Sequence, residues 1–122
     1  MSLTFGTDGV RGHADEFDDG FVVALGRAAA RVLGGERFVV GRDPRESGPR
    51  LAAALTAGLR QEGVIVEDLG VAPTPAVACV TRLEGVAGAM ISASHNPFTD
   101  NGVKFFAPGG VKLSDSVEAE FE

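Results

Sequence analysis

The chain has 122 residues, of which 44% are hydrophobic and 23% are charged, and its formal net charge is −6. This length and composition predict one globular domain with its own core, and the acidic balance argues against nucleic acid or a membrane surface as a partner. A single cysteine, Cys79, excludes an internal disulfide, and the first residues lack the pattern of a secretion signal, so we expect a cytoplasmic protein.

The first predicted feature along the chain is a glycine-rich loop, Phe5 to Gly12, which carries Asp8 and Arg11. Its glycines predict tight turns, and their spacing matches neither the dinucleotide fingerprint nor the Walker motif. The loop either presents backbone amides and Arg11 to an anion or is a plain N-terminal turn. Taken alone, these residues favour the turn.

The following segments alternate between helical and strand patterns. Asp18 and Asp19 precede a helical pattern that ends at Gly34-Gly35, where carboxylates complement the positive end of a helix. A metal site built from these two carboxylates is the less favoured alternative. Phe38 to Val40 then predicts a buried strand.

A charged loop, G-R-D-P-R-E-S-G-P, follows this strand and holds Arg42, Asp43 and Arg45. Ser47 is placed to cap the next helix, which is predicted to reach about Gln61. The usual state of such a cluster is a solvated loop whose arginines pair with neighbouring carboxylates.

Further segments predict a strand over Val64 to Leu69, a short helix over Ala76 to Arg82 and a buried strand over Val86 to Ile91. Strands that alternate with helices are typical of βαβ units. We therefore predict an α/β protein, a three-layer α/β/α sandwich with a mixed, mostly parallel four-stranded sheet.

The segment Met90 to Phe106, M-I-S-A-S-H-N-P-F-T-D-N-G-V-K-F-F, concentrates the reactive side chains. Pro97 disfavours helical geometry at Asn96, and Asp100-Asn101-Gly102 favours a turn. The chain is therefore predicted to leave one strand, bend, and return as a second strand over Val103 to Phe106. In open α/β sheets, ligands bind at bends of this kind, at the carboxyl ends of strands.

A turn signal at Pro108-Gly109-Gly110 follows the second strand. Val111 to Leu113 is therefore predicted to return as a hairpin partner. Ser114 and Asp115 are predicted to begin a last helix.

Three of these residues are candidates for chemistry, and each has a structural alternative. A turn serine such as Ser94 more often hydrogen-bonds nearby backbone than acts as a nucleophile. His95 is not shown to activate it by adjacency, because neighbours on an extended chain point to opposite sides. Lys104 also fits an exposed charge at a strand edge. The residues alone thus indicate an anion-binding α/β domain.

Three segments together resemble the N-terminal domain of the α-D-phosphohexomutases: F-G-T-D-G-V-R-G, G-R-D-P-R-E-S-G and I-S-A-S-H-N-P-F-T-D-N-G-V-K-F-F. The resemblance covers essentially residues 1–122 as the phosphoserine domain and implies that the later domains of the family are absent from this chain. The S-H-N-P loop is specific for the superfamily. The F-G-T-D-G and I-S-A-S forms favour the phosphoglucosamine mutase branch over the phosphoglucomutase/phosphomannomutase branch.

The resemblance implies that Ser94 carries a phosphoryl group and gives it to a hexose phosphate, above all a glucosamine phosphate. The bisphosphorylated sugar then turns over and returns its other phosphate to the serine, so that the 6-phosphate and the 1-phosphate interconvert. Such a transfer needs mainly positioning and positive charge around the moving oxygens.

The resemblance also implies roles for the residues around the serine. Arg11, His95 and Lys104 are expected close to the phosphoserine, with Lys104 as a general acid/base. The residues expected to bind phosphate or to shape the site are Asp8, Arg45 and Asn96.

The family binds Mg²⁺ through the serine phosphate, and its other ligands are a D-G-D-G-D triplet in the second domain, which this chain lacks. The implied partners are a hexose phosphate and the remaining domains of the same enzyme, and a homodimer is left open. The isolated chain is expected to be inactive. The alternative to an enzyme is a binding protein, a phosphosugar-binding module without catalysis.

Overall fold

The computed structural model of the chain describes residues 4–6, 9–33, 35–93, 99–108 and 111–112, with the backbone alone for residues 4–6, 9, 11 and 111–112. Within these ranges a mixed β-sheet lies between two helical layers. The predicted α/β/α class is therefore confirmed. No described helix combines the length and the hydropathy needed to cross a lipid bilayer.

The sheet has seven strands in the described part of the chain. They are β1 (Thr4–Gly6), β2 (Gly9–His13), β3 (Arg37–Arg42), β4 (Ile65–Val71), β5 (Ala87–Ile91), β6 (Asp100–Ala107) and β7 (Val111–Lys112). Their order is β1-β2-β6-β5-β3-β4, and β7 pairs with β6. The pairs β3–β4 and β3–β5 are parallel, whereas β1–β2, β2–β6, β5–β6 and β6–β7 are antiparallel.

The sheet is larger than the predicted four strands, and its parallel part is confined to β3, β4 and β5. The difference arises largely at the N-terminus, where the predicted loop of tight turns instead supplies the antiparallel strands β1 and β2. β2 pairs with β6 over four residues, from Val10 to His13. A glycine-rich backbone still carries N–H donors and C=O acceptors, and pairing with a neighbouring strand supplies their hydrogen-bond partners. The predicted hairpin partner after β6 is confirmed as β7.

Three helices cover the sheet: α1 (Asp19–Leu33), α2 (Gly48–Gln61) and α3 (Thr74–Glu84), and a 3₁₀ turn (Ala14–Glu16) precedes α1. α1 and α2 pack on one face, and α3 packs on the other. At the start of α1, Asp18 Oδ1 accepts a hydrogen bond from Phe21 N at 2.7 Å. The predicted helix ends hold for α1 and α2, whereas α3 extends beyond its prediction at both ends.

The core lies on both faces of β3. Phe38 and Val40 pack against the α1 and α2 side, whereas Val39 packs with Val77 of α3. All five residues of β5 are buried too, as predicted for a strand covered on both faces. The predicted apolar stripe of α2 is fully buried at Leu51, Leu55 and Leu59.

The helices α1 and α2 approach each other closely through two glycines. A Cβ on Gly26 would overlap the carbonyl oxygen of Leu55, and one on Gly58 would overlap that of Val23. Only glycine permits this approach without moving a backbone. The contact fixes where α2 lies, and with it the loop that leads from β3 into α2.

An ion-pair cluster joins the same helices near the end of α2. Arg31 Nε and Arg27 Nε donate to the carboxylate of Glu62 at 3.0 and 3.1 Å. These bonds, first that of Arg31, lower the pKa of Glu62 below its ordinary value. Because both arginines are largely exposed, salt weakens this cluster.

Gly58→Ala is expected to destabilise the fold by roughly 1–3 kcal/mol, because the added methyl group pushes α1 away from α2. Gly20→Ala is the matched control, since a Cβ on this helical glycine meets only ordinary contact, with Asp18 Oδ1 at 3.4 Å. The control is expected to gain up to about 1 kcal/mol from helix propensity. Denaturant unfolding of both variants measures the difference, and changes of equal sign and size would contradict the close helix contact.

Candidate active site

Two connections meet at the carboxyl ends of the parallel strands β3 and β5. The β3–α2 loop (residues 43–47) follows β3, and the β5–β6 segment (residues 92–99) follows β5. Asp43 N donates to Ile91 O at 3.1 Å, so the two connections begin side by side. Ligands of open α/β sheets bind at this kind of edge, which makes it the candidate active site.

Backbone hydrogen bonds hold both ends of the β5–β6 segment. Ser92 N donates to Gly102 O at 2.9 Å, and Ala14 N donates to Thr99 O at 2.8 Å. Ala93, next to the first of these bonds, is fully buried. The segment is thus tied to β6 at its start and to the 3₁₀ turn at its end.

The carboxylate of Asp43 is the centre of a polar cluster between the two connections. Its Oδ2 accepts a hydrogen bond from Ser92 Oγ at 2.7 Å and another from Arg45 Nε at 2.9 Å. Its Oδ1 accepts from Arg45 N at 3.2 Å. One side chain therefore holds the β3–α2 loop in shape and grips the start of the β5–β6 segment.

The side chain of Arg45 is only 5% exposed, which corrects the expectation of a solvated loop at this position. Its pairing with Asp43 agrees with that expectation, and burial makes the pair more constrained than a surface salt bridge. Arg45 Nη1 also donates to Asp100 O at 3.3 Å, where β6 begins. Arg42 differs, because it pairs with Asp68 of the edge strand β4 at 3.5 Å.

A second buried bond joins the same two regions. Asn101 is fully buried, and its Nδ2 donates to Ser47 Oγ at 2.7 Å while its Oδ1 accepts from Gly102 N at 2.8 Å. Ser47 stands directly before α2 as predicted, but its side chain makes no capping hydrogen bond. The hydroxyl is used to bind β6 instead.

A cleft of about 740 Å³ lies beside this cluster, between the 3₁₀ turn and the start of α2. Arg50 lines it, but Arg50 Nη1 donates to Phe17 O at 2.7 Å and to Asp19 Oδ1 at 3.0 Å, and Nη2 donates to Ala14 O at 3.1 Å. This guanidinium therefore ties the 3₁₀ turn to α2. The residues that line the cleft are His13, Ala14, Asp15, Glu46, Ser47, Arg50 and Thr99.

Comparison with known proteins assigns the family. The model described as phosphoglucomutase/phosphomannomutase, alpha/beta/alpha domain I, matches residues 2–122. The chain belongs to this family. Its curated relatives include the phosphoglucosamine mutases of Corynebacterium jeikeium, 57% identical over 100% of this chain, and Deinococcus radiodurans, 54% identical over 97%.

A solved structure of a phosphoglucomutase/phosphomannomutase family protein from Burkholderia thailandensis has the same fold as this domain I. Its TM-score is 0.81 at 33% identity, over 96% of this chain and 28% of that chain. The chain likewise spans 30% of the Corynebacterium jeikeium protein and 28% of the Deinococcus radiodurans protein. Domain I thus corresponds to less than a third of each relative.

The structure describes two side chains predicted for the site and the backbone of a third residue. Arg45 belongs to the buried cluster, and Lys104 is half-buried on β6, opposite Met90 of β5. The backbone of Arg11 pairs with Gly102 in the β2–β6 register. The other predicted residues, which lie outside the described part of the chain, are Asp8, Ser94, His95 and Asn96.

The sequence did not predict that Ser92 and Asn101 make buried hydrogen bonds at this site. It predicted Asp43 only as a counter-ion of the loop arginines. A signal was present, since Ser92 and Asp43 directly follow the buried strands β5 and β3. Polar residues at the carboxyl ends of neighbouring strands meet at one edge of a sheet. Asn101 gave no comparable signal, because the D-N-G sequence is typical of a turn.

Asn101→Ala is expected to lower the free energy of unfolding by about 2–3 kcal/mol, because it removes two hydrogen bonds and leaves the buried Gly102 N–H without its acceptor. Ser47→Ala removes only the bond between the two side chains, leaves the buried Asn101 Nδ2 without this acceptor, and is expected to cost about 1–2 kcal/mol. Denaturant unfolding measures both variants. Equal losses would mean that the bond to Gly102 N contributes nothing.

Proposed function

We propose that this chain is the phosphoserine domain of a phosphohexomutase, which interconverts the 6-phosphate and 1-phosphate of a hexose. The observation that supports it best is the β5–β6 segment, which contains Ser94 and is held at both ends at the carboxyl edge of the sheet. Glucosamine phosphate is the first substrate to test, because relatives 52–57% identical to the chain are named phosphoglucosamine mutases.

The proposed reaction has two phosphoryl transfers. In the first, the Oγ–P bond of phosphorylated Ser94 breaks as a bond forms from phosphorus to a hydroxyl oxygen of the hexose phosphate. That hydroxyl loses its proton, and Ser94 Oγ takes one up. After the bisphosphorylated sugar reorients, the same steps in reverse return its other phosphoryl group to Ser94.

We assign to the residues that are proposed to surround Ser94 the roles that phosphoryl transfer requires. Lys104 is proposed to exchange the proton of the sugar hydroxyl, and Arg11 and His95 are proposed to stabilise the charge on the moving oxygens. Lys104 lies on β6 two residues after Gly102, and the backbone of Arg11 pairs with Gly102, within the sheet that carries the segment. Contacts that orient the substrate or shape the site are proposed for Asp8, Arg45 and Asn96.

Mg²⁺ belongs to this proposal only as an ion bound through the phosphate of Ser94, with its remaining ligands outside this chain. The described residues do not fit a complete magnesium site, since they contain no group of three His, Cys, Asp or Glu side chains that could hold a metal. The carboxylate of Asp43 is already bound by a guanidinium and a hydroxyl. We therefore assign no step to the ion.

The proposed partners are a hexose phosphate and further domains of the same enzyme. The relatives are more than three times as long as the part that the chain matches, so activity is expected of the longer protein and not of these 122 residues alone. A cytoplasmic location and a homodimer belong to the same proposal.

Ser94→Ala in the intact gene product is expected to lower mutase activity roughly 1,000-fold or more, because the phosphoryl acceptor is lost. The assay follows glucosamine, glucose and mannose 6-phosphates side by side, and peptide mapping of the wild type is expected to find phosphate at Ser94. Thr56→Ala is the matched control, since this hydroxyl lies on α2 in a separate groove with Arg60 and Asp68. An active Ser94 variant would refute the proposal, whereas hexose phosphate binding without turnover or phosphate would support the binding module.

A further inference from the structure

We propose that Asp43 is a positioning residue for the phosphoryl-carrying segment: it never touches the substrate and acts through Ser92 and Arg45. The inference rests on the proposed function, because it concerns the rate at which Ser94 transfers its phosphoryl group. It assigns to Asp43 of the G-R-D-P-R motif a task distinct from binding an anion.

The first step of the argument is the grip on the start of the segment. Asp43 Oδ2 accepts the Ser92 hydroxyl at 2.7 Å, and Ser92 precedes Ser94 by two residues. Ser92 N is bound at the same time to Gly102 O at 2.9 Å. Two bonds, one from the side chain and one from the backbone, therefore fix the residue at which the chain leaves β5.

The second step is the reach of the same carboxylate to the far end of the segment. Arg45 Nε lies 2.9 Å from Asp43 Oδ2, and Arg45 Nη1 donates to Asp100 O at 3.3 Å, where β6 begins. The guanidinium is planar and rigid, so an orientation imposed at Nε is transmitted to Nη1. Asp43 thus helps to hold the start of the segment directly and, through Arg45, the first residue of β6 that follows it.

The third step concerns charge. The Arg45 side chain is 5% exposed and that of Asp43 is 20% exposed, so the pair is held largely out of water. If the carboxylate is replaced by an amide, the buried guanidinium loses a counter-charge, which favours its movement towards solvent. That movement would break the hydrogen bond to Asp100 O. The change at residue 43 would therefore also loosen the chain at the other end of the segment.

The kinetic consequence follows from the nature of the reaction. Phosphoryl transfer depends almost entirely on positioning and electrostatics, and a misplacement of about 1 Å can cost on the order of 100-fold in rate. Asp43→Asn is therefore expected to lower kcat of the intact gene product by roughly 10- to 100-fold, with KM for the hexose phosphate changed less than about threefold.

The test compares four variants of the intact gene product with the wild type and with Ser94→Ala. Ser92→Ala leaves the Asp43–Arg45 pair in place and carries the test if Asp43→Asn fails to fold, whereas Ser92→Thr keeps a hydroxyl and is expected to restore most of the rate. Glu84→Gln is the matched control, because Glu84 pairs with Arg37 at the same 2.9 Å, beside the amino end of β3. Each variant is measured for kcat, KM and hydrogen exchange of peptides that cover residues 92–101.

The expected result is a loss of kcat in Asp43→Asn and Ser92→Ala, with faster exchange confined to residues 92–101 and the β3–α2 loop, and no change in Glu84→Gln. Unchanged kcat, a rise in KM alone, or faster exchange across the whole domain would each overturn the inference. Ser94→Ala separates the two proposals. If that variant stays active, the proposed function fails, whereas if it is inactive and Asp43→Asn is not impaired, only the positioning role fails.

Discussion

The interaction on which the candidate site depends is the buried ion pair of Asp43 and Arg45. Removing two charges from water is costly, and their attraction alone rarely repays it, so such a pair persists where further hydrogen bonds complete it. Here Ser92 Oγ, Asp100 O and the backbone N–H of Arg45 supply those bonds. Ser92 and Arg45 belong to the two chain connections that meet at the edge of the sheet, and Asp100 is the first residue of β6. The pair therefore couples the geometry of the β3–α2 loop to that of the start of the β5–β6 segment.

The rest of the fold supplies the surroundings that keep this pair in place. β3 and β5 are parallel neighbours buried on both faces, so the points at which the two connections leave the sheet are fixed by the core. The glycine contact at Gly26 and Gly58 fixes α2 against α1, and Arg50 ties the start of α2 to the 3₁₀ turn. The 3₁₀ turn also holds the end of the β5–β6 segment, since Ala14 N donates to Thr99 O. Packing far from the edge thus determines its shape.

Local patterns in the sequence predicted the elements but not the cluster that joins them. The helices and the strands β3, β4 and β5 follow from apolar periodicity, which reports burial on one or both faces. The strands β1 and β2 escaped because glycines carry no such pattern. The burial of Arg45 escaped for another reason: its bond to Asp100 spans 55 residues, and the bond between Asp43 and Ser92 spans 49. Sequence motifs predicted which segments contribute to the site, but these side chains meet only because β3, β5 and β6 are neighbours in the sheet.

The acidic balance of the chain bears on how a phosphate group could be handled at this edge. Six of the eight arginines whose side chains the structure describes already have carboxylate partners: Arg27 and Arg31 with Glu62, Arg37 with Glu67 and Glu84, Arg42 with Asp68, Arg45 with Asp43, and Arg50 with Asp19. To recruit one of these guanidinium groups to a phosphate would leave its carboxylate uncompensated next to a second anion, which is unfavourable. A net charge of −6 offers no general attraction either. The proposed phosphate binding must therefore come from a few groups held at exact places, and this requirement is the reason why support of the segment ends would matter for the proposed transfer.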